Sequence, residues 1–220
     1  MQDNGFNVYM PLVYQHTINN HSRLAVWKIE EPLSFFQEKT DLSVPVIHPV
    51  KQLQFMASRY LLSYLVPGFS HKEVVISKSG KPFLPNHPTR FSISHCGNYA
   101  AAIVSEKSEV GIDVEIITPK ATKLAAKYLS ARELDLLPTT NDQTLLHRFS
   151  TLCWSIKETM YKWDGKGSID FIKHLEINEL PETLSGIIKS RLLKDNTTEL
   201  DIRFEIIGEL ILTWVLYPDL

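Results

Sequence analysis

The sequence predicts an α+β fold. Each half of the chain combines one long helix-period segment with several short strand-like runs, and the general order of the first half returns in the second. No strict repeat accompanies this coarse similarity, and no low-complexity linker separates the halves, which are therefore expected to pack tightly. With 220 residues and 44% apolar content the chain has ample material for a core.

In the first half, FNVYMPLVYQ and RLAVWKIE are rich in β-branched and aromatic residues and read as strands joined by the polar turn INNHS. HPVKQLQFMASRYLLSYLV reads as a long helix whose apolar surface is Val50, Leu53, Phe55, Met56, Leu61, Leu62 and Leu65, stopped by Pro67-Gly68. Two short strands, KEVVISK and KPFLP, flank a Ser-Gly turn. RFSISH and YAAAIV form a hairpin around Cys96-Gly97-Asn98. GIDVEII is a further strand. In the second half PKATKLAAKYL and SARELDLL read as helices, the latter opened by a capping box of Ser130 and Glu133. A long helix from Asp142 to Trp163 carries Leu145, Phe149, Leu152, Ile156, Met160 and Trp163 at helical steps. ELDIRFEII and ELILTWVLY are the closing strands.

Composition narrows the function. A formal charge of −2 gives no basic field for nucleic acid, so attraction to a charged partner has to be local. The two cysteines, Cys96 and Cys153, make neither a disulfide framework nor a metal-ligand spacing. The N-terminus has no signal-peptide pattern and no apolar run is long enough to span a bilayer, so a cytoplasmic protein is expected. Walker, dinucleotide-fingerprint, zincin and nucleophile-elbow motifs are absent.

What remains is a set of short constellations. On a strand, Asp113 and Glu115 share a face while Ile112 and Val114 turn to the core. Adjacent carboxylates repel unless a cation lies between them, and oxygen ligands suit Mg²⁺. On the long helix Trp154, Glu158 and Lys162 recur every four residues, opposite the apolar stripe. By themselves they read as a solvent-facing i, i+4 ion pair beside an aromatic; a cleft covering both faces of the helix accounts better for the Trp. Glu158 would bring the carboxylates to three. Lys81 follows the Ser-Gly turn, and Ser94 and His95 end the strand RFSISH. An ammonium, a hydroxyl and an imidazole suit phosphate oxygens. Lys120, Lys123 and Lys127 form a charged helical stripe beside Leu124 and Tyr128, usually a solvated face, though one that suits an acidic partner helix.

Taken in order, GKPFLP, FSISHC, GIDVE and WSIKETMYK, followed by GKG at 165–167, resemble the 4′-phosphopantetheinyl transferases of the surfactin-synthetase-activator type, over about residues 51–175. Cys96 stands where that family usually has Ser or Thr, and Ser58 where it commonly has Gly. The resemblance implies a monomer built as a pseudo-dimer of two similar α+β halves, 1–105 and 106–220, with coenzyme A in the cleft between them. It implies Mg²⁺, with Mn²⁺ as an alternative, on Asp113, Glu115 and Glu158. It implies phosphate contacts from Lys162, and nucleotide contacts from Lys81, Ser94, His95, Lys51 and Arg59, with Lys157 either structural or touching the nucleotide. Glu158, or a water beside it, would take the proton from the serine of an apo acyl or peptidyl carrier protein. That carrier would dock on Lys120, Lys123, Leu124, Lys127 and Tyr128. Two other readings of the same residues are a metal-dependent nuclease or nucleotide phosphohydrolase, and a carrier-binding module without chemistry.

Overall fold

The computed structural model describes residues 11–42 and 48–218, so the first five residues of the first expected strand, 6–10, lie outside it. The chain begins with a hairpin, β1 (Leu12–Asn19) and β2 (Ser22–Lys28), followed by α1 (Leu33–Thr40) and α2 (Pro49–Leu65). A two-stranded ribbon, β3 (Val75–Ile76) and β4 (Pro82–Phe83), precedes the hairpin β5 (Arg90–Cys96) and β6 (Tyr99–Ser105). These strands form an antiparallel sheet in the order β1-β2-β6-β5. Pro49 opens α2, where its missing N–H costs nothing. The helix buries Met56, Ala57, Leu61, Leu62 and Leu65 with Trp27, Phe36, Ala100 and Ala102. Val50, expected in the apolar stripe, is 51% exposed, and its neighbours Pro49 and Lys51 in the first turn of α2 are exposed as well.

The remaining strands build a second antiparallel sheet. After β7 (Glu109–Ile116) come α3 (Pro119–Leu124), a 3-10 turn at Ala125–Lys127, α4 (Ala131–Leu134) and α5 (Gln143–Asp164). Then follow β8 (Leu175–Ile177), β9 (Ser185–Leu192), β10 (Thr198–Ile207) and β11 (Leu210–Tyr217), in the order β7-β11-β10-β9-β8. α4 starts with the expected capping box: Ser130 Oγ accepts the Glu133 N–H and Glu133 Oε2 accepts the Ser130 N–H. The Asp142 carboxylate caps α5 by accepting from the Thr144 and Leu145 N–H groups. Gly165, at φ 60°, ends the helix in the left-handed conformation that suits glycine.

Each sheet has its own apolar core against its long helix, and a third core lies between them, built from Leu24, Val26, Ala101, Ile103, Ile112, Val114, Leu212 and Trp214. The outermost strands β5 and β7 meet there. Ser92 and Ser94, two apart on β5 and so on one face, aim their hydroxyls at β7, where Ser92 Oγ accepts the Ile112 N–H at 3.2 Å and Ser94 Oγ the Val114 N–H at 3.3 Å. Side chains thus satisfy backbone donors that no neighbouring strand reaches. On the other face of β7, Gly111 lets α5 come close: a Cβ there would stand 2.4 Å from the Thr159 carbonyl oxygen and 2.9 Å from Trp163 Cβ. Among the described residues no helix is long and apolar enough to cross a membrane.

Candidate active site

The alternation of GIDVE positions the acids. Ile112 and Val114 are fully buried between the sheets, which turns Asp113 and Glu115 toward α5 on the same face as Gly111. Ile93, Ser94, His95, Asp113, Glu115, Trp154, Glu158 and Lys162 line one cavity of about 340 Å³. The structure therefore brings together both acids of β7, the three helix residues spaced by four, and the end of β5.

Asp113 is the most enclosed of the three carboxylates, 1% exposed. Its Oδ2 accepts the Ser155 hydroxyl at 2.8 Å, and its Oδ1 accepts the Ser94 hydroxyl at 2.8 Å and the Lys162 ammonium at 2.6 Å. Lys162 also donates to Ser94 Oγ at 2.8 Å. The ion pair expected along the helix between Glu158 and Lys162 is absent among the described residues, because Lys162 reaches across to Asp113. Glu115 is held at both oxygens, Oε1 by the Trp154 indole N–H and Oε2 by the Cys96 thiol, each at 3.0 Å. Trp154 sits between Tyr128 and Phe171, with ring centroids 5.1 and 5.7 Å away. Burial, and then the hydrogen bond to Glu115, pushes the Cys96 thiol up to about 12, so it remains a protonated donor.

Glu158 has no hydrogen-bond or ion-pair partner among the described residues. Burial, followed by the negative charge of Asp113, raises its carboxyl to about 7, with Lys162 opposing. Glu115 is also raised, by burial and then by Asp113, against the pull of its two hydrogen bonds. Three acids in one small cavity suffer the mutual repulsion anticipated from their types. As placed, no group of three His, Cys, Asp or Glu side chains among the described residues converges on one ion position.

The nucleotide-side candidates are more dispersed. Ser94 is 5% exposed and its hydroxyl is consumed by Asp113, Lys162 and the Val114 N–H, whereas His95, its strand neighbour, is exposed while lining the cavity. Lys81 does not enter the carboxylate cavity: its ammonium donates to the Trp163 carbonyl at 2.9 Å, at the C-terminal end of α5, and burial lowers its pKa. A cation there offsets the negative end of the helix. Ser79 donates to the Gly165 carbonyl beside it, so the turn before β4 closes the end of α5. Lys51 is exposed at the start of α2, and Gln54, one turn on, donates to the Gly97 carbonyl, two residues past His95. Arg59 is 7% exposed, its guanidinium 4.4 Å from the Phe55 ring centre, with no ion pair or hydrogen bond among the described residues. Burial lowers its pKa to about 10.

Two expectations meet the packing. Of the two readings left open for Lys157, the packing agrees with the structural one: the side chain is fully buried and its three ammonium donors go to Glu133 Oε2 at 2.7 Å and to the Phe171 and Leu175 carbonyls at 2.8 and 2.9 Å. Its 100° offset from Glu158 on the helix points it into the core of the second sheet. Tyr128, expected on a docking face, is 2% exposed and donates to the Ala121 and Ser150 carbonyls. Leu124 packs on the same core, while Lys120, Lys123 and Lys127 are exposed, the last on the 3-10 turn rather than on α3.

Ser155, Cys96 and Ser92 went unassigned in the sequence. Ser155 lies one turn before Glu158 on α5, and the Ser92/Ser94 alternation is the visible trace of the seam between β5 and β7. The carboxylate cavity shares Ile93 and Lys162 with a second chamber of about 250 Å³, bounded also by Ser79, Gly80, Lys81, Pro82, Tyr161 and Gly167. Beyond Lys81 and Gly165 a larger cavity of about 860 Å³ follows. Asp113, Glu115 and Glu158 do not line that larger cavity.

Residues 109–213 match the family model of the 4'-phosphopantetheinyl transferase superfamily. The chain is 32% identical over 115 residues to the 4'-phosphopantetheinyl transferase AcpT of Escherichia coli (strain K12), which covers 51% of this chain and 57% of that protein. It is 32% identical over 139 residues to AcpT of Salmonella typhi, covering 62% and 70%. With the 4'-phosphopantetheinyl transferase Sfp of Bacillus subtilis (strain 168) it shares 28% identity over 166 residues, covering 74% and 70%. The matched stretch thus spans little more than half the length of the Escherichia coli relative.

Proposed function

The chain belongs to the 4'-phosphopantetheinyl transferase superfamily, and from that premise we propose that it is an enzyme that moves the 4'-phosphopantetheine group of coenzyme A to a serine of an apo carrier protein, releasing 3',5'-ADP. The observation that carries the reading is the cavity in which Asp113, Glu115 and Glu158 stand with Lys162, next to the chamber walled by the GKP turn. The two sheet-and-helix units are read as halves of a pseudo-dimeric monomer divided near residue 105, with the groove between them as the coenzyme A cleft.

The donor chemistry fits a hard divalent cation: three carboxylates, an uncompensated acidic excess around Glu158, and no soft ligand except a protonated thiol. Asp113, Glu115 and Glu158 would hold Mg²⁺ or Mn²⁺, which would neutralise charge on the pyrophosphate. The chain's own residues do the rest. Trp154 and Cys96 hold both oxygens of Glu115 in place, so its direction is set before any ligand arrives. Lys162 offers an ammonium at the junction of the two chambers, where a phosphoryl oxygen gains negative charge in the transition state. Glu158, free of hydrogen bonds among the described residues, would accept the proton of the acceptor hydroxyl, directly or through a water beside it, as that hydroxyl attacks the β-phosphate. The bond to the 3',5'-ADP oxygen breaks on the opposite side. Arg59, a cation with no ion pair or hydrogen bond among the described residues, and exposed Lys51 and His95 are proposed for the nucleotide phosphates, and Lys81 as a wall of that chamber.

The test is the intact mass of an apo acyl carrier protein after incubation with the protein, coenzyme A and Mg²⁺. A gain of one phosphopantetheine arm, absent with EDTA, is the expected result. Unchanged mass across fatty-acid, polyketide and peptide-synthetase carriers would remove the reading. Exposed Lys120, Lys123 and Lys127 are proposed to receive the acidic helix of the carrier. The double reversal Lys120→Glu/Lys123→Glu is expected to raise the carrier KM by about tenfold while coenzyme A affinity holds; an unmoved carrier KM would dismiss this docking face.

A further inference from the structure

Both oxygens of Asp113 already accept hydrogen bonds: Oδ2 from the Ser155 hydroxyl, and Oδ1 from the Ser94 hydroxyl at 2.8 Å and the Lys162 ammonium at 2.6 Å. The Asp113 side chain is 2% exposed and the Lys162 side chain 24%, so the lysine covers the carboxylate from the solvent side. A divalent ion drawn to Asp113 meets a charge of its own sign already seated on Oδ1. Lys162 also borders the adjoining chamber with Ser79, Lys81 and Tyr161, so its flexible four-carbon stem has a second place to put the ammonium.

We propose that Lys162 is a tethered cation that competes with the divalent ion for Asp113 Oδ1, and that the ion's arrival sends the ammonium into the phosphate chamber. This inference rests on the metal-dependent transferase reading. Two consequences follow from one displaced charge. The lysine weakens ion binding in the absence of nucleotide, and nucleotide phosphates and divalent ion strengthen each other's binding, since each draws Lys162 from Asp113.

The experiment is Mn²⁺ binding without coenzyme A, read from the electron paramagnetic resonance signal of the free ion. Lys162→Met, which keeps the stem length and removes the charge, is expected to bind Mn²⁺ about tenfold more tightly than the unaltered protein. Lys162→Arg, which keeps the charge, is expected to bind no more tightly than the unaltered protein. Equal or weaker Mn²⁺ binding by Lys162→Met would overturn the proposal, since a lysine that only contacts phosphate leaves the ion's affinity alone. A measurement on the unaltered chain guards against a variant that does not fold. With ¹³C-labelled lysine, Mg²⁺ alone is expected to shift the Lys162 Cε signal, and an unmoved signal counts against the exchange. The carrier mass assay separates the two ideas: transfer with no change in ion affinity refutes the exchange and leaves the transferase reading intact. Failure of both proteins to bind Mn²⁺ removes the metal reading and this inference with it.

Discussion

Glu158→Gln is expected to abolish transfer while making the protein more resistant to heat at pH 8. The carboxyl is raised to about 7 by burial and then by Asp113, against an ordinary value near 4.5. The folded state therefore keeps this proton over a pH range in which the unfolded chain has released it. Below about pH 4.5 both states hold it and there is no penalty. As pH rises through 7 the folded state must ionise a buried acid next to another, and by then the accumulated cost is about 3 kcal/mol. Glutamine keeps the shape and never ionises. In EDTA the variant is expected to melt on the order of 5 °C higher at pH 8 and within about 1 °C of the unaltered protein at pH 4.5. Thermal melts at the two pH values check this, and a difference independent of pH would show that Glu158 is not a strained acid.

Lys157→Met is expected to be the most damaging single change outside the cavity. Lys157 and Glu133 form an ion pair with side chains 0% and 1% exposed at 2.7 Å. Around it the Ser130 and Ile177 N–H groups donate to Glu133, and the Phe171 and Leu175 carbonyls accept from Lys157. Removing the ammonium leaves a buried carboxylate without its counter-charge and two carbonyls without donors, a loss of about 3–5 kcal/mol. Denaturant unfolding monitored by circular dichroism reads this directly. The double variant Glu133→Gln/Lys157→Met is expected to recover a large part of it, because glutamine no longer requires a cation. A single variant within about 1 kcal/mol of the unaltered protein would contradict the account. The effect reaches the cavity through Phe171, whose carbonyl Lys157 holds and whose ring lies 5.7 Å from Trp154, the residue that fixes Glu115.

Local patterns made much of this legible in advance. The strand alternation of GIDVE correctly put Asp113 and Glu115 on one face, and the four-residue spacing put Trp154, Glu158 and Lys162 together. The capping box at Ser130, the Asp142 start of α5 and the β5–β6 hairpin all rest on contacts a few residues long. The elements missed have weaker local signals. α1 is a short helix buried mainly at Phe36 and Thr40, and β9 has a mostly exposed first half, Ser185–Ile187, without apolar alternation. Lys157 and Lys81 have partners that the sequence does not show, for another reason. Both sit in motifs with charged chemistry, and their ammonium groups are claimed by carbonyls 14 to 82 residues away. Which loop lands on a helix end is a property of the packed chain, and no spacing in the sequence encodes it. Tyr128 likewise belongs to an apparently continuous amphipathic helix, until the 3-10 turn at Ala125–Lys127 rotates the ring inward.

The seam between β5 and β7 has a consequence for how the two halves depend on each other. Each strand is the last of its sheet, and each would present a row of unpaired backbone groups if its counterpart were removed. Such rows invite strands from other molecules, which is how edge-to-edge aggregation starts. Here the protection is mutual and made of hydroxyls: two serines cap the donors of β7, and the body of the second sheet shields β5. Expressed apart, either half would expose both an open edge and the apolar face of the third core. The pair is therefore obligate in solubility terms as much as in chemistry, and the serine that completes the seam at Ser94 is the same one that hydrogen-bonds Asp113.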